Sequence, residues 1–154
     1  MVHVEVEINA SPTEVRAVVL DFPSYPEWQT FAKSITIISP PDKSPNLLEP
    51  GDKLRAEFSG VTVEPIIESN TSSEFRWYGR GALNAFSGHH YFEYLESKSM
   101  PGGTTFVHGE EYMGWLTFIF ERGPMSGSVR GMFMGYAEDL EKRAEGVKGG
   151  GVSS

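Results

Sequence analysis

The feature that most constrains this chain is the order of its patterns: short polar–apolar alternations fill the middle, and one long helical stripe follows them. Residues 35–38 read as a first strand of this series, followed by a connection rich in Pro that ends at Gly51. Leu54, Ala56 and Phe58 then alternate with Lys53, Arg55 and Glu57, and Ser59-Gly60 turns the chain into residues 61–68, where Pro65 marks a bulge or an edge. Residues 70–73 turn into a strand at 75–78. A glycine-rich loop, 79–88, leads to a strand at 89–95, and Pro101-Gly102-Gly103 turns into residues 104–114. The closing stripe, Val129, Met132, Phe133, Tyr136, Ala137 and Leu140, sits opposite Glu138, Asp139, Glu141, Lys142 and Arg143, which predicts a helix over 125–146.

Before the series, Val2, Val4, Val6 and Ile8 alternate with His3, Glu5 and Glu7 as another strand. Ser11-Pro12-Thr13-Glu14 is a capping box with Pro at the first helical position, and Val15, Val18, Val19 and Phe22 continue the helical spacing. Pro23 ends that helix, and Tyr25-Pro26-Glu27-Trp28 starts a short second one. The class is α+β: a curved, antiparallel, seven-stranded sheet with two short helices and one long C-terminal helix. A sheet bent around a single helix leaves a void of roughly 300–1,000 Å³ unless large side chains fill it, which makes a hydrophobic ligand cavity the expected site.

The 154 residues fit one domain, 1–146, with 147–154 expected as a disordered tail. Asp and Glu total 21 against 13 Lys and Arg, a formal charge of −8 that repels phosphate backbones and anionic lipid. Nucleic acid and membrane insertion are therefore not expected. The absence of Cys removes disulfides, thiolate catalysis and Cys-bound metals. No apolar run reaches the ~18–20 residues of a membrane span, and the alternating N-terminus is unlike a secretory signal. A cytoplasmic protein is expected.

Several motifs resemble one group of proteins: Ser11-Pro12-Thr13-Glu14-Val15, Asp21-Phe22-Pro23-Ser24-Tyr25-Pro26-Glu27-Trp28, Pro50-Gly51-Asp52, Arg76-Trp77, Gly88-His89-His90-Tyr91-Phe92, and Thr105-Phe106-Val107-His108-Gly109-Glu110. Across about residues 2–146 the chain resembles the SRPBCC superfamily, which contains START-related lipid-binding domains, polyketide cyclase/dehydrase-like proteins and the birch-pollen-allergen fold. The resemblance implies the helix-grip fold around a hydrophobic cavity. It leaves the function open among carriers, receptors, chaperone activators and cyclases.

The strongest local chemistry sits in the last two strands. His90, Phe92 and Tyr94 share one face, and Phe106, His108, Glu110 and Tyr112 share another. A hairpin centred near Met100 opposes His90 to Glu110, Phe92 to His108 and Tyr94 to Phe106. Their aromatic weight places these faces inside, with His90 and Glu110 as a polar pair able to donate or accept a proton. The same pair could instead be an internal ion pair that only fixes the hairpin. A metal is not expected, because His89 and His90 point to opposite faces and His90, His108 and Glu110 lack the spacing of a metal motif. Trp28, Phe31, Trp77, Phe92, Tyr94, Phe106, Phe133 and Tyr136 are candidate ligand-binding walls, though each one taken alone reads as plain core. The apolar stretch 115–120 reads as packed core before a lid or a partner surface. Gly79-Arg80-Gly81 lacks the strand-to-helix setting of a nucleotide loop, and Ser87-Gly88, read as a turn, is no nucleophile elbow.

Two functions from different classes follow. One is a cofactor-independent enzyme that folds a polyketide-like or aromatic precursor, with proton transfer by His90 and Glu110 helped by His108 or Tyr112. The other is a carrier or sensor of a lipid, sterol or quinone. A protein-interaction module of the chaperone-activator type ranks third, and a homodimer is left open. The interior polar pair favours the first, because a pure carrier needs few ionisable groups inside.

Overall fold

The computed structural model describes residues 1–58, 60–80 and 87–152. In chain order the elements are β1 (Val2–Ile8), α1 (Pro12–Leu20), α2 (Tyr25–Trp28), β2 (Ala32–Ser39), β3 (Lys53–Phe58), β4 (Val61–Val63), β5 (Ile66–Asn70), β6 (Glu74–Arg80), β7 (Ser87–Glu96), β8 (Thr104–Met113), α3 (Thr117–Glu121) and α4 (Ser126–Val152). The strands form a curled antiparallel half-barrel in the order β1-β8-β7-β6-β5-β3-β2, with the short β4 paired to β3.

Local chemistry sets the boundaries. The Ser11 hydroxyl accepts from Glu14 N while Ser11 N donates to the Glu14 carboxylate at 2.8 Å, closing the capping box that starts α1. Val15, Val18 and Val19 then bury one stripe. Pro65 divides β4 from β5, and Lys53 opposite Ile66 is the single register pair joining β3 to β5 among the described residues. Gly102, with φ 77°, turns β7 into β8. The ladder between those two strands has no irregularity: it sets Ser87 opposite Met113, His90 opposite Glu110, Phe92 opposite His108 and Tyr94 opposite Phe106.

α4 lies in the grip of the sheet and buries Val129, Phe133, Tyr136, Ala137, Leu140 and Ala144, with Met132 partly buried at its edge. Gly135 permits a close approach, because a Cβ there would stand 2.9 Å from Cδ2 and Cζ of Phe31. Asp139 accepts from Thr30 N at 3.1 Å and from Thr30 Oγ1 at 2.6 Å, tying α4 to the end of α2. In the core, Tyr25 Oη donates to Val19 O at 2.6 Å, so the 2.7 Å contact with Tyr136 is a bond that Tyr136 donates.

Three expectations need correction. Residues 147–152, read as a disordered tail, continue α4 to Val152, each residue adding one helical bond to a turn already formed. Ser87 and Gly88, read as a turn, open β7, because the ladder to Tyr112 and Met113 extends that far. The stretch 115–120 is not simply packed core: Trp115 is 74% exposed and Phe118 59%. Residues 59, 81–86 and 153–154, which held part of the Ser59-Gly60 turn, the middle of the glycine-rich loop and the end of the tail, lie outside the described residues.

Candidate functional site

The alternation that builds β7 and β8 delivers the site. His90, Phe92 and Tyr94 of β7 and Phe106, His108, Glu110 and Tyr112 of β8 face the interior, where α4 covers them. His90 stacks on Trp77 of β6 at 5.1 Å and meets Phe133 of α4 edge-on at 5.2 Å. His108 stacks on Phe92 at 4.8 Å and lies 4.6 Å from Phe133 and 4.7 Å from Tyr136. Both imidazoles are buried.

Their polar atoms form a row. His90 Nε2 and His108 Nε2 are 2.6 Å apart, and His108 Nδ1 donates to Phe133 O at 3.3 Å. On the other side, His90 Nδ1 lies 3.6 Å from Glu110 Oε2, an ion-pair distance longer than a formed hydrogen bond. Tyr112 follows Glu110 on the same face of β8. Burial loosens along the row, from buried His108 and His90 to half-buried Glu110 and Tyr112. Burial first, and then His90, hold His108 well below the usual imidazole range, outweighing its bond to the Phe133 carbonyl. Burial first, and then the Glu110 charge, push the Tyr112 phenol up. His108 is therefore a neutral ring near neutral pH, and Tyr112 is a donor.

The proposed walls divide into two groups. Trp77, Phe92, Phe106, Phe133 and Tyr136 surround the two imidazoles, with Phe106 stacked on Tyr136 at 6.2 Å. Trp28 packs edge-on to Tyr25 at 5.0 Å and Tyr136 at 6.1 Å, and Phe31 lies against Gly135, both beside α4 rather than around the imidazoles. Tyr94 stacks on Phe106 at 6.4 Å, further along the strands from Glu110. Neither Trp28 Nε1 nor the Tyr94 hydroxyl has a hydrogen-bond partner among the described residues.

Three contributors were not picked out from sequence. Tyr25 joins Tyr136. Phe58 stacks over His90 at 6.4 Å and was visible as the inward partner of Leu54 and Ala56. Gly88 makes room for the Glu110 side chain, a role only the three-dimensional register shows. His89 and Glu111 face outward instead, His89 Nδ1 bonding the Glu68 carboxylate and Arg76 the Glu111 carboxylate at 3.0 Å. A concavity of about 290 Å³ on that outer face, lined by Arg76, Tyr91, Glu93 and Glu111 among others, is separate from the row. Among the described residues, no three His, Asp or Glu side chains converge as metal ligands do, and no helix is long and apolar enough to cross a membrane.

A curled sheet gripping one long helix over an aromatic interior defines a helix-grip protein of the SRPBCC superfamily. The chain belongs to the polyketide cyclase / dehydrase and lipid transport family, whose model matches residues 1–146. Solved structures agree on the fold. A Helicobacter pylori hypothetical protein superposes with a TM-score of 0.74 at 13% identity, covering 93% of this chain and 86% of that one. A START superfamily protein from Mycobacterium smegmatis gives 0.68 at 17% identity, covering 95% and 97%. DynU16, encoded in the dynemicin biosynthetic locus, gives 0.68 at 14% identity, covering 94% of this chain but 46% of that one. A search of curated protein sequences finds no match.

Proposed function

We propose that this protein binds a hydrophobic, aromatic or polyketide-like small molecule against the ring wall between α4 and the sheet, and that His90 and Glu110 move a proton on it during cyclisation, dehydration or isomerisation. The observation that carries this reading is the row His108–His90–Glu110–Tyr112, four polar side chains on adjacent strands inside an otherwise aromatic interior. Apolar walls with a few converging polar groups orient a ligand by its polar end. Holding a flexible precursor in one conformation selects one ring closure among several. The reading uses no cofactor, and the reaction would proceed in the cytoplasm.

The alternative, a carrier of a lipid, sterol or quinone without chemistry, draws on the exposed Trp115 and Phe118 just beyond Tyr112, an apolar edge suited to passing an apolar cargo. One experiment separates the two. Affinity for an apolar fluorescent probe and product formation from an aromatic polyketide candidate are measured for wild type, His90→Ala and Glu110→Gln. The enzyme reading expects turnover to fall by about 10²–10⁴-fold in both variants, with probe affinity nearly unchanged. Probe binding without product in any of the three proteins supports the carrier. Absence of probe binding in wild type overturns both.

A further inference from the structure

We infer that His108 is a positioning residue: it fixes which ring nitrogen of His90 carries the proton, leaving a bare Nδ1 on the side of Glu110. The inference rests on the proposed use of His90 and Glu110 as the proton-handling pair, and deepens it.

A carbonyl oxygen only accepts, so the bond from His108 to Phe133 O places a hydrogen on His108 Nδ1. A neutral imidazole has one N–H, which leaves His108 Nε2 with a bare lone pair. Two ring nitrogens 2.6 Å apart cannot both be bare or both be protonated without repulsion, so the hydrogen between them belongs to His90 Nε2. Neutral His90 then presents a bare Nδ1 toward Glu110.

A bare nitrogen and a carboxylate are both acceptors. At 3.6 Å, beyond hydrogen-bond length, they stand side by side with no proton shared between them, and Nδ1 keeps a lone pair free to take a proton from a ligand. The titratable groups facing His90 are His108 and Glu110, with Tyr112 beyond the carboxyl. β3, β6 and α4 present Phe58, Trp77 and Phe133 to it. Without an acceptor at Nε2, His90 is free to place its hydrogen on Nδ1 and donate to a Glu110 carboxylate. Nδ1 would then carry the hydrogen and could no longer accept a proton from a ligand.

The test uses the full, ligand-free chain labelled with ¹⁵N and reads each ring's tautomer from long-range ¹⁵N–¹H correlations near neutral pH. Wild type should show His90 with hydrogen on Nε2 and bare Nδ1, and His108 with hydrogen on Nδ1. His108→Leu, an apolar replacement inside an aromatic cluster, should move the His90 hydrogen to Nδ1. His108→Gln, whose amide oxygen can accept from Nε2, should restore the wild-type tautomer. If the leucine variant does not fold, His108→Asn, too short to reach Nε2, takes its place. A wild-type His90 protonated on Nδ1, or a His90 tautomer unmoved when the acceptor is lost, overturns the inference. Because the readout needs no ligand, it stands apart from the function test: a protein that binds no probe can still show the locked tautomer, and one that turns over substrate can lack it.

Discussion

Gly88 and Glu110 share one volume. A Cβ built on Gly88 would stand 2.7 Å from Glu110 Cδ and 3.0 Å from its Cγ, so the side chain of β8 lies in space that β7 leaves empty two residues before His90. The carboxyl reaches the polar row because a glycine stands at this position.

Gly88→Ala should therefore act on the site more than on the fold. The crowded atoms belong to a flexible side chain that can move aside, so the loss of stability should stay at the low end of the ~1–3 kcal/mol that overpacking costs. Displacing the carboxyl should lower turnover by about 10²-fold. A melting curve beside the turnover assay checks this, and a large loss of stability with normal turnover would contradict it.

His108 predicts a pH dependence. Burial keeps the folded ring neutral to well below its ordinary value of 6.5, whereas the unfolded chain takes up the proton near that value. Below about 6.5 the unfolded state binds more protons, so the stability present above that pH falls as the pH drops, by up to ~1.4 kcal/mol per pH unit. Urea unfolding at about pH 7.5 and about pH 5.5 measures the fall. In His108→Gln the difference between the two pH values should shrink.

The phenol pair of Tyr25 and Tyr136 predicts non-additivity. Tyr25→Phe removes the bond to Val19 O and leaves the buried Tyr136 hydroxyl without its acceptor, a cost of about 1–3 kcal/mol. Adding Tyr136→Phe removes the orphaned group, so the double variant should lose less than the sum of the single losses. Denaturant unfolding of all three closes the cycle.

Gly135 sits in the middle of α4, where alanine would normally stabilise a helix by about 1 kcal/mol. Here the added methyl would press on Phe31, so Gly135→Ala should instead destabilise, by about 1–3 kcal/mol. Combining it with Phe31→Leu should recover part of the loss, again measured by unfolding. A stabilised Gly135→Ala would show that Phe31 does not hold its place against the helix.

Much of this architecture was legible because the signals are local. Ser11 to Glu14 specified a cap, and the turn near Met100 a register that the ladder reproduces residue by residue, while Pro65, read as a bulge or an edge within one strand, divides that stretch into two. What could not be read depends on contacts between distant segments. The Nε2 contact between His90 and His108 is a diagonal meeting of side chains, not a directly opposed pair. Nothing in the spacing of residues 85–90 announces that Gly88 yields its space to Glu110. The stretch 115–120 misled because apolar composition reports a preference for burial, while burial itself depends on whether a neighbour is there to cover it.

His89 and Glu111 stand opposite each other on the outer face just as His90 and Glu110 do on the inner one. A slip of β8 by one residue would still set a glutamate, Glu111, against His90. The same slip would turn Val107 and Gly109 inward where Phe106 and His108 now lie. The acid is thus duplicated across two alignments of the hairpin, whereas the imidazole and the phenyl ring behind it are not. A misaligned hairpin would look chemically intact at its open end and be hollow further in, so fidelity of assembly is guarded by ring volume rather than by charge.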